Sequence, residues 1–231
     1  RIASALLIGS RVGISEDVIS DYSKTGTIHI LSVSGLHVSI IFLVLNKFLS
    51  IFSWGKAKLL KTIILIGFVC LYAYITGLSP SVCRSAVMIS FSIIGKQINQ
   101  QSNPYNLIAG SALLLLIIDP FYLYDIGFQL SYLAVLGIIY FYQAIYELMC
   151  FQNKLLNQIW MLIAVSISAQ ISTLPVALYY FHQFPNYFLL ANLLAIPLSS
   201  IALYLGIALL AFNPISILSK YIGFVLSKCI G

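Results

Sequence analysis

The chain has 231 residues, of which 61% are apolar and only 8% charged, against about 25% charged in an ordinary soluble domain. So few charges cannot cover a surface in water, which excludes a soluble globular fold and makes the bilayer the expected solvent for most of the surface. The net charge of +6 reads as the lysine excess that orients membrane proteins, and four cysteines without a CxxC spacing imply neither redox nor metal chemistry.

The opening stretch, Arg1 to Gly26, carries Arg11, Glu16, Asp17, Asp21 and Lys24 and is expected to lie on the membrane surface. It begins without an initiator Met, as a segment cut from a longer protein would. A membrane-crossing helix needs about 20 apolar residues. Candidate spans run from Leu31 to Phe52, Leu59 to Leu78, Val82 to Ile98, Leu107 to Ile118, Ile126 to Met149, Leu155 to Tyr180 and Tyr187 to Phe212. An eighth, Ile215 to Ile230, is cut by the end of the chain. The expected fold is therefore all-α: a polytopic bundle of about seven to eight transmembrane helices over residues 27–231, with proline/glycine-broken segments at Gly35, Pro175 and Pro197, in one domain with the 1–26 lead-in. Lys47, Lys56, Lys58 and Lys61 fall at the first connection, Lys96 at the third, Lys154 at the fifth and Lys220 after the seventh span. The second, fourth and sixth connections have no Lys, and the fourth has Asp119 and Asp125. This alternation puts the odd connections in the cytoplasm and the N-terminal segment outside.

A polar group in hydrocarbon needs a partner or a water-filled cavity, so polar residues inside spans are the informative ones. The first cluster is HILSVSGLHV, with His29, Ser32, Ser34, Gly35 and His37. Ser34 and His37, three apart, share a helix face. They read either as a capped helix start or as a nucleophile pair, although no nearby carboxylate orients the His and GxSxG is absent. The second is GLSPSVCRSAVM, where Pro80 suits a helix start. Arg84 there either snorkels to the outer interface or faces a polar path where it meets an anion. The third is DPFYLYDIGFQLSYLAV, with Gln129 and Ser131; its Tyr122, Tyr124 and Tyr132 read as an interfacial aromatic belt, or as stacking partners for bases. The fourth is SAQISTLPVALYYF, with Gln170, Thr173 and Pro175. Asn192 and Pro197 repeat its pattern in the next span. Two successive proline-broken helices beside amides are expected to line a transport path, against ordinary kinks as the other reading.

Four stretches, in order, carry a resemblance: GTIHILSVSGLHV (Gly26 to Val38), GLSPSVCRSAVM (Gly77 to Met88), DPFYLYDIGFQLSYLAV (Asp119 to Val135) and AQISTLP (Ala169 to Pro175). Together they resemble the ComEC-type competence proteins, and ALLIGSRVGISEDVISDYSKTG is similar to that family's lead-in. The resemblance implies an inner-membrane channel that moves single-stranded DNA into the cytoplasm during natural transformation. It implies a pore-lining set of His29, Ser34, Gly35, His37, Arg84, Gln129, Ser131 and Gln170; the residue reading adds Ser32, Thr173, Pro175, Asn192 and Pro197. The implied partners are single-stranded DNA, the lipid bilayer, a cytoplasmic helicase-type motor and an outer DNA receptor.

Members of that family often add an oligonucleotide-binding-like domain and a metallo-β-lactamase-like domain. Neither is in this segment, and without HxHxDH no metal, cofactor or enzyme activity is expected. A strand carries about one negative charge per nucleotide, so its path must be aqueous and polar. Motive force must come from elsewhere, since GxxxxGK[ST] is absent. The rival readings are a secondary transporter for a small anionic solute, bound between the broken helices, and an intramembrane hydrolase using Ser34 and His37.

Overall fold

The structure is a computed structural model and describes residues 33–52, 57–98, 103–149, 151–182 and 188–211, together with Gly223. The lead-in, His29, Ser32 and the eighth candidate span (Gly223 apart) lie outside the described residues. Among those residues the chain is all α-helical: α1 (Gly35–Leu49), α2 (Lys58–Ile75), α3 (Pro80–Gln97), α4 (Pro104–Ile118), a 3-10 turn (Pro120–Tyr124), α5 (Ile126–Tyr146), α6 (Lys154–Phe181) and α7 (Phe188–Ala211). A helix occupies each of the first seven candidate stretches, with ends displaced by a few residues. Four helices, α2, α5, α6 and α7, are long and apolar enough to cross a membrane, while α1 and α4 are apolar but shorter.

Local chemistry sets the boundaries. Asn103 accepts from the Tyr105 amide at 2.9 Å to cap α4, and Asn153 caps α6 through the Leu155 amide at 2.9 Å. Asp119 ends α4 and accepts from the Phe121 amide at 2.9 Å to start the 3-10 turn. Asp125 then caps α5 through the Phe128 amide at 2.8 Å. Each fills a donor that a helix start leaves open. The α2–α3 turn is equally defined. The Leu78 amide donates to Ala73 O and the Gly77 amide to Tyr74 O, the bond pair of a Schellman C-cap. Gly77 sits at φ 83°, a conformation that glycine adopts without steric cost. Pro80 then opens α3, its missing N–H being one the helix could not have used.

The most polar helix is the central one. The middle helix α3 touches α1, α2, α4 and α5. On one side Val82 and Ala86 pack with Val33, Val38, Val69 and Ala73. On the other, Cys83 and Val87 pack on Ile108, Leu115, Phe128 and Tyr132. The large apolar side chains left exposed, such as Ile63 on α2, Ile117 on α4 and Tyr140 on α5, suit contact with lipid. Farther along the chain, α5 packs along α6, and α7 touches both α6 and α1. At the α5–α6 crossing Gly137 is buried against Ser168 and Ser172, the small-residue contact that lets helices approach closely in a membrane.

One expectation is corrected. Pro175 and Pro197 do not break their helices: α6 runs unbroken from Lys154 to Phe181 and α7 from Phe188 to Ala211. A proline removes one ladder hydrogen bond, and the bonds on either side keep the helix continuous. Gly35 is likewise the first residue of α1 rather than an interruption within it.

Candidate functional site

Arg84 lies one turn into α3 and is only 8% exposed. Its guanidinium carbon sits 5.8 Å from the centroid of the Tyr132 ring on α5. Tyr132 is held in turn by a 3.0 Å hydrogen bond between its hydroxyl and that of Ser111 on α4. The Arg84 Nε has no hydrogen-bond partner among the described residues, and no carboxylate there acts on the group. Taking an ion out of water costs several kcal/mol even after relaxation. A tyrosine face returns about 0.5–2 kcal/mol of that.

The start of α1 completes the cluster. Gly35 lies so close to α3 that a Cβ there would overlap Ser85 Oγ and stand 3.3 Å from Arg84 Nη2. Beside it, the Ser34 backbone N–H donates to His37 Nδ1 at 3.1 Å, and the Ser34 hydroxyl lies 2.8 Å from the same nitrogen. A nitrogen that accepts an amide proton carries none itself, so the neutral His37 ring holds its proton on Nε2. Nε2 is buried and unpartnered among the described residues. The Ser34–His37 geometry is that of a helix cap. A nucleophile pair would need a third group to orient the ring, and none is found among the described residues.

The structure therefore brings together Ser34, Gly35, His37 and Arg84 and adds Ser85, which sequence reasoning missed, and Tyr132, which it read as part of a belt or as a stacking partner. Tyr132 was expected in an interfacial belt, yet it is 7% exposed and lies beneath Arg84. Tyr122 is half-buried and stacks on Phe128, with centroids 6.0 Å apart, and only Tyr124 of the three is fully exposed. The signal for Tyr132 was its i, i+4 spacing from Phe128, which puts both on one helix face.

The other expected residues sit elsewhere. Gln129 donates from Nε2 to Leu123 O at 2.8 Å and ties α5 to the 3-10 turn before it. Ser131 Oγ and Asn192 Oδ1 are buried without partners among the described residues. Thr173 bonds back to Ala169 O of its own helix at 2.9 Å. Gln170, Thr173 and Pro175 belong to α6, which packs chiefly on α5 and α7. Asn192 and Pro197 belong to α7, which reaches α1.

Chemically, the cluster offers a fixed cation over an aromatic face, with hydroxyls and an unpartnered imidazole donor at the same end of α1 and α3. That combination suits an anion bearing a flat ring more than a hydrolytic reaction.

The family described as "Competence protein" matches residues 6–230. The chain is 32% identical over 196 residues to "ComE operon protein 3" of Bacillus subtilis (strain 168), covering 85% of this chain and 24% of the relative. It is 28% identical over 200 residues to "Uncharacterized protein YcaI" of Escherichia coli (strain K12), covering 83% of this chain and 26% of the relative. The chain thus spans about a quarter of the length of these relatives. No solved structure matches.

Proposed function

Since this chain belongs to the competence protein family, we propose that its membrane bundle conducts single-stranded DNA into the cytoplasm during natural transformation. In this reading all of its predicted spans, α1, α3 and α4 included, cross the bacterial inner membrane, with the odd connections on the cytoplasmic side. It is a conduit and not an enzyme. A cytoplasmic helicase-type motor draws the strand, and an outer receptor delivers it.

The observation that supports this reading is Arg84: buried, without a carboxylate among the described residues, and set over the Tyr132 ring. A passing phosphate supplies the missing anion, and a base can share the aromatic face. A single cation of this kind attracts the strand without trapping it, whereas a lysine-lined bore would hold it.

The test is uptake of labelled DNA into the cytoplasm of cells carrying Arg84→Ala at unchanged membrane level. A charge-assisted hydrogen bond contributes about 1.5–3 kcal/mol, so internalisation is expected to fall roughly ten- to hundredfold. Arg84→Lys, which keeps the charge but loses the planar fork, is expected to fall between the two. Uptake unchanged in Arg84→Ala removes Arg84 from the path. Normal transformation in a deletion strain ends the conduit reading altogether.

A further inference from the structure

At the end of the bundle away from Arg84, the C-terminal ends of α1 and α3 and the start of α2 line an open cavity of about 450 Å³. Lys58, Lys61 and Lys96 line it, with Ser50 and Asn46 beside them, and no Asp or Glu is among the described residues of its wall. The Lys61 ammonium reaches across to Ser50 Oγ at 2.9 Å, bridging α2 to the end of α1. The inner wall is apolar, made by Phe42, Leu65, Ile89 and Ile93. Just outside, Phe48, Leu59 and Ile63 are exposed apolar side chains on α1 and α2.

The charge arrangement is unfavourable as it stands. A helix N-terminus is already positive, and cations there destabilise it. Yet Lys58 and Lys61 occupy the first turn of α2, which has no acidic residue and no side-chain cap. Lys96 adds a third cation from α3. Lys96 is itself well placed in the last turn of α3, but an anion in the cavity offsets the two lysines at the start of α2 and the repulsion among all three. The apolar wall says what carries the anion: a molecule with a phosphate head and a hydrocarbon body, standing where helix ends meet the headgroup layer. Basic pockets between membrane helices hold anionic lipid heads in this way.

We infer that this cavity binds the phosphate headgroup of an anionic phospholipid, with the lysines on the phosphate and the acyl chains along Phe42 and the lipid-facing side of α2. The inference rests on the membrane bundle alone and not on the DNA reading.

The full protein, purified in a neutral detergent, is titrated with short-chain phosphatidylglycerol or phosphatidylcholine, and bound lipid is counted by native mass spectrometry. Phosphatidylglycerol is expected to bind and phosphatidylcholine to bind at least tenfold more weakly. A lysine near a membrane surface contributes about fivefold, so Lys58→Gln, Lys61→Gln and Lys96→Gln combined should weaken binding by more than tenfold. The corresponding Lys→Arg triple should retain it, and Lys154→Gln, at the start of α6, should be silent. Helical content by circular dichroism separates lost binding from lost folding. Equal binding of the two lipids, or a folded Gln triple that binds like the parent, overturns the inference. Displacement of the lipid by millimolar inorganic phosphate overturns it in favour of a soluble phosphate site. Displacement by a single-stranded oligonucleotide overturns it in favour of a strand-binding exit.

Discussion

Gly137 offers the sharpest test of the packing. A Cβ there would lie 2.6 Å from the Ser168 carbonyl oxygen and overlap the Ser172 hydroxyl. Ordinary contact begins at 3.4 Å, so Gly137→Ala requires 3.4 − 2.6 = 0.8 Å of movement. A hydroxyl can rotate away, but the carbonyl belongs to the backbone of α6, so the helices themselves must part. A gap of 0.5–1 Å forfeits about a quarter to a half of each contact's dispersion energy along the seam, and overpacking of this kind costs about 1–3 kcal/mol. At about 2–4 °C per kcal/mol for a chain of this size, melting in detergent should drop by roughly 2–12 °C. Adding Ser172→Gly should restore only part of the loss, because Ser168 O remains. Gly67 on α2, where a Cβ meets nothing within 4 Å, is the control: Gly67→Ala should be neutral or stabilising by about 0.5–1 kcal/mol. Equal melting temperatures for Gly137→Ala and Gly67→Ala would refute the close α5–α6 crossing.

Two further outcomes follow from other contacts. Gly35→Ala pushes on Ser85 and Arg84, so DNA internalisation should fall while the membrane level of the protein holds; unaltered uptake would detach the start of α1 from the Arg84 cluster. Asp125→Ala removes the cap on the Phe128 amide and should cost about 1 kcal/mol in denaturant titration, with Asp125→Asn close to wild type; equal losses would show that the charge, and not the hydrogen bond, matters.

The helices were legible in the sequence because each span is a long apolar run bounded by polar caps or prolines. Asn103, Asp119, Asp125 and Asn153 mark their boundaries in the fold as they do in the chain. The neighbours of α3 were not legible. In a membrane both sides of a helix are apolar, so periodicity does not report which side faces protein. Arg84 and Ser85 show the interior only once α1 and α5 are seen against them. The role of Tyr132 stayed open for the same reason: a tyrosine near a span's end looks alike whether it faces headgroups or an arginine. The prolines misled in the other direction, since Pro175 and Pro197 signal a break that the surrounding ladder does not make.

The central place of α3 has a consequence for its neighbour α2. With Arg84 in its second turn and Lys96 in its last, α3 is not among the helices apolar enough to cross a membrane by themselves, since charged residues in a span are costly in lipid. The tight turn at Gly77 and Leu78 joins it to α2, whose leucines and isoleucines carry the opposite sign. The pair therefore carries the apolarity together: α2 supplies what α3 lacks, and the tight turn keeps the two side by side.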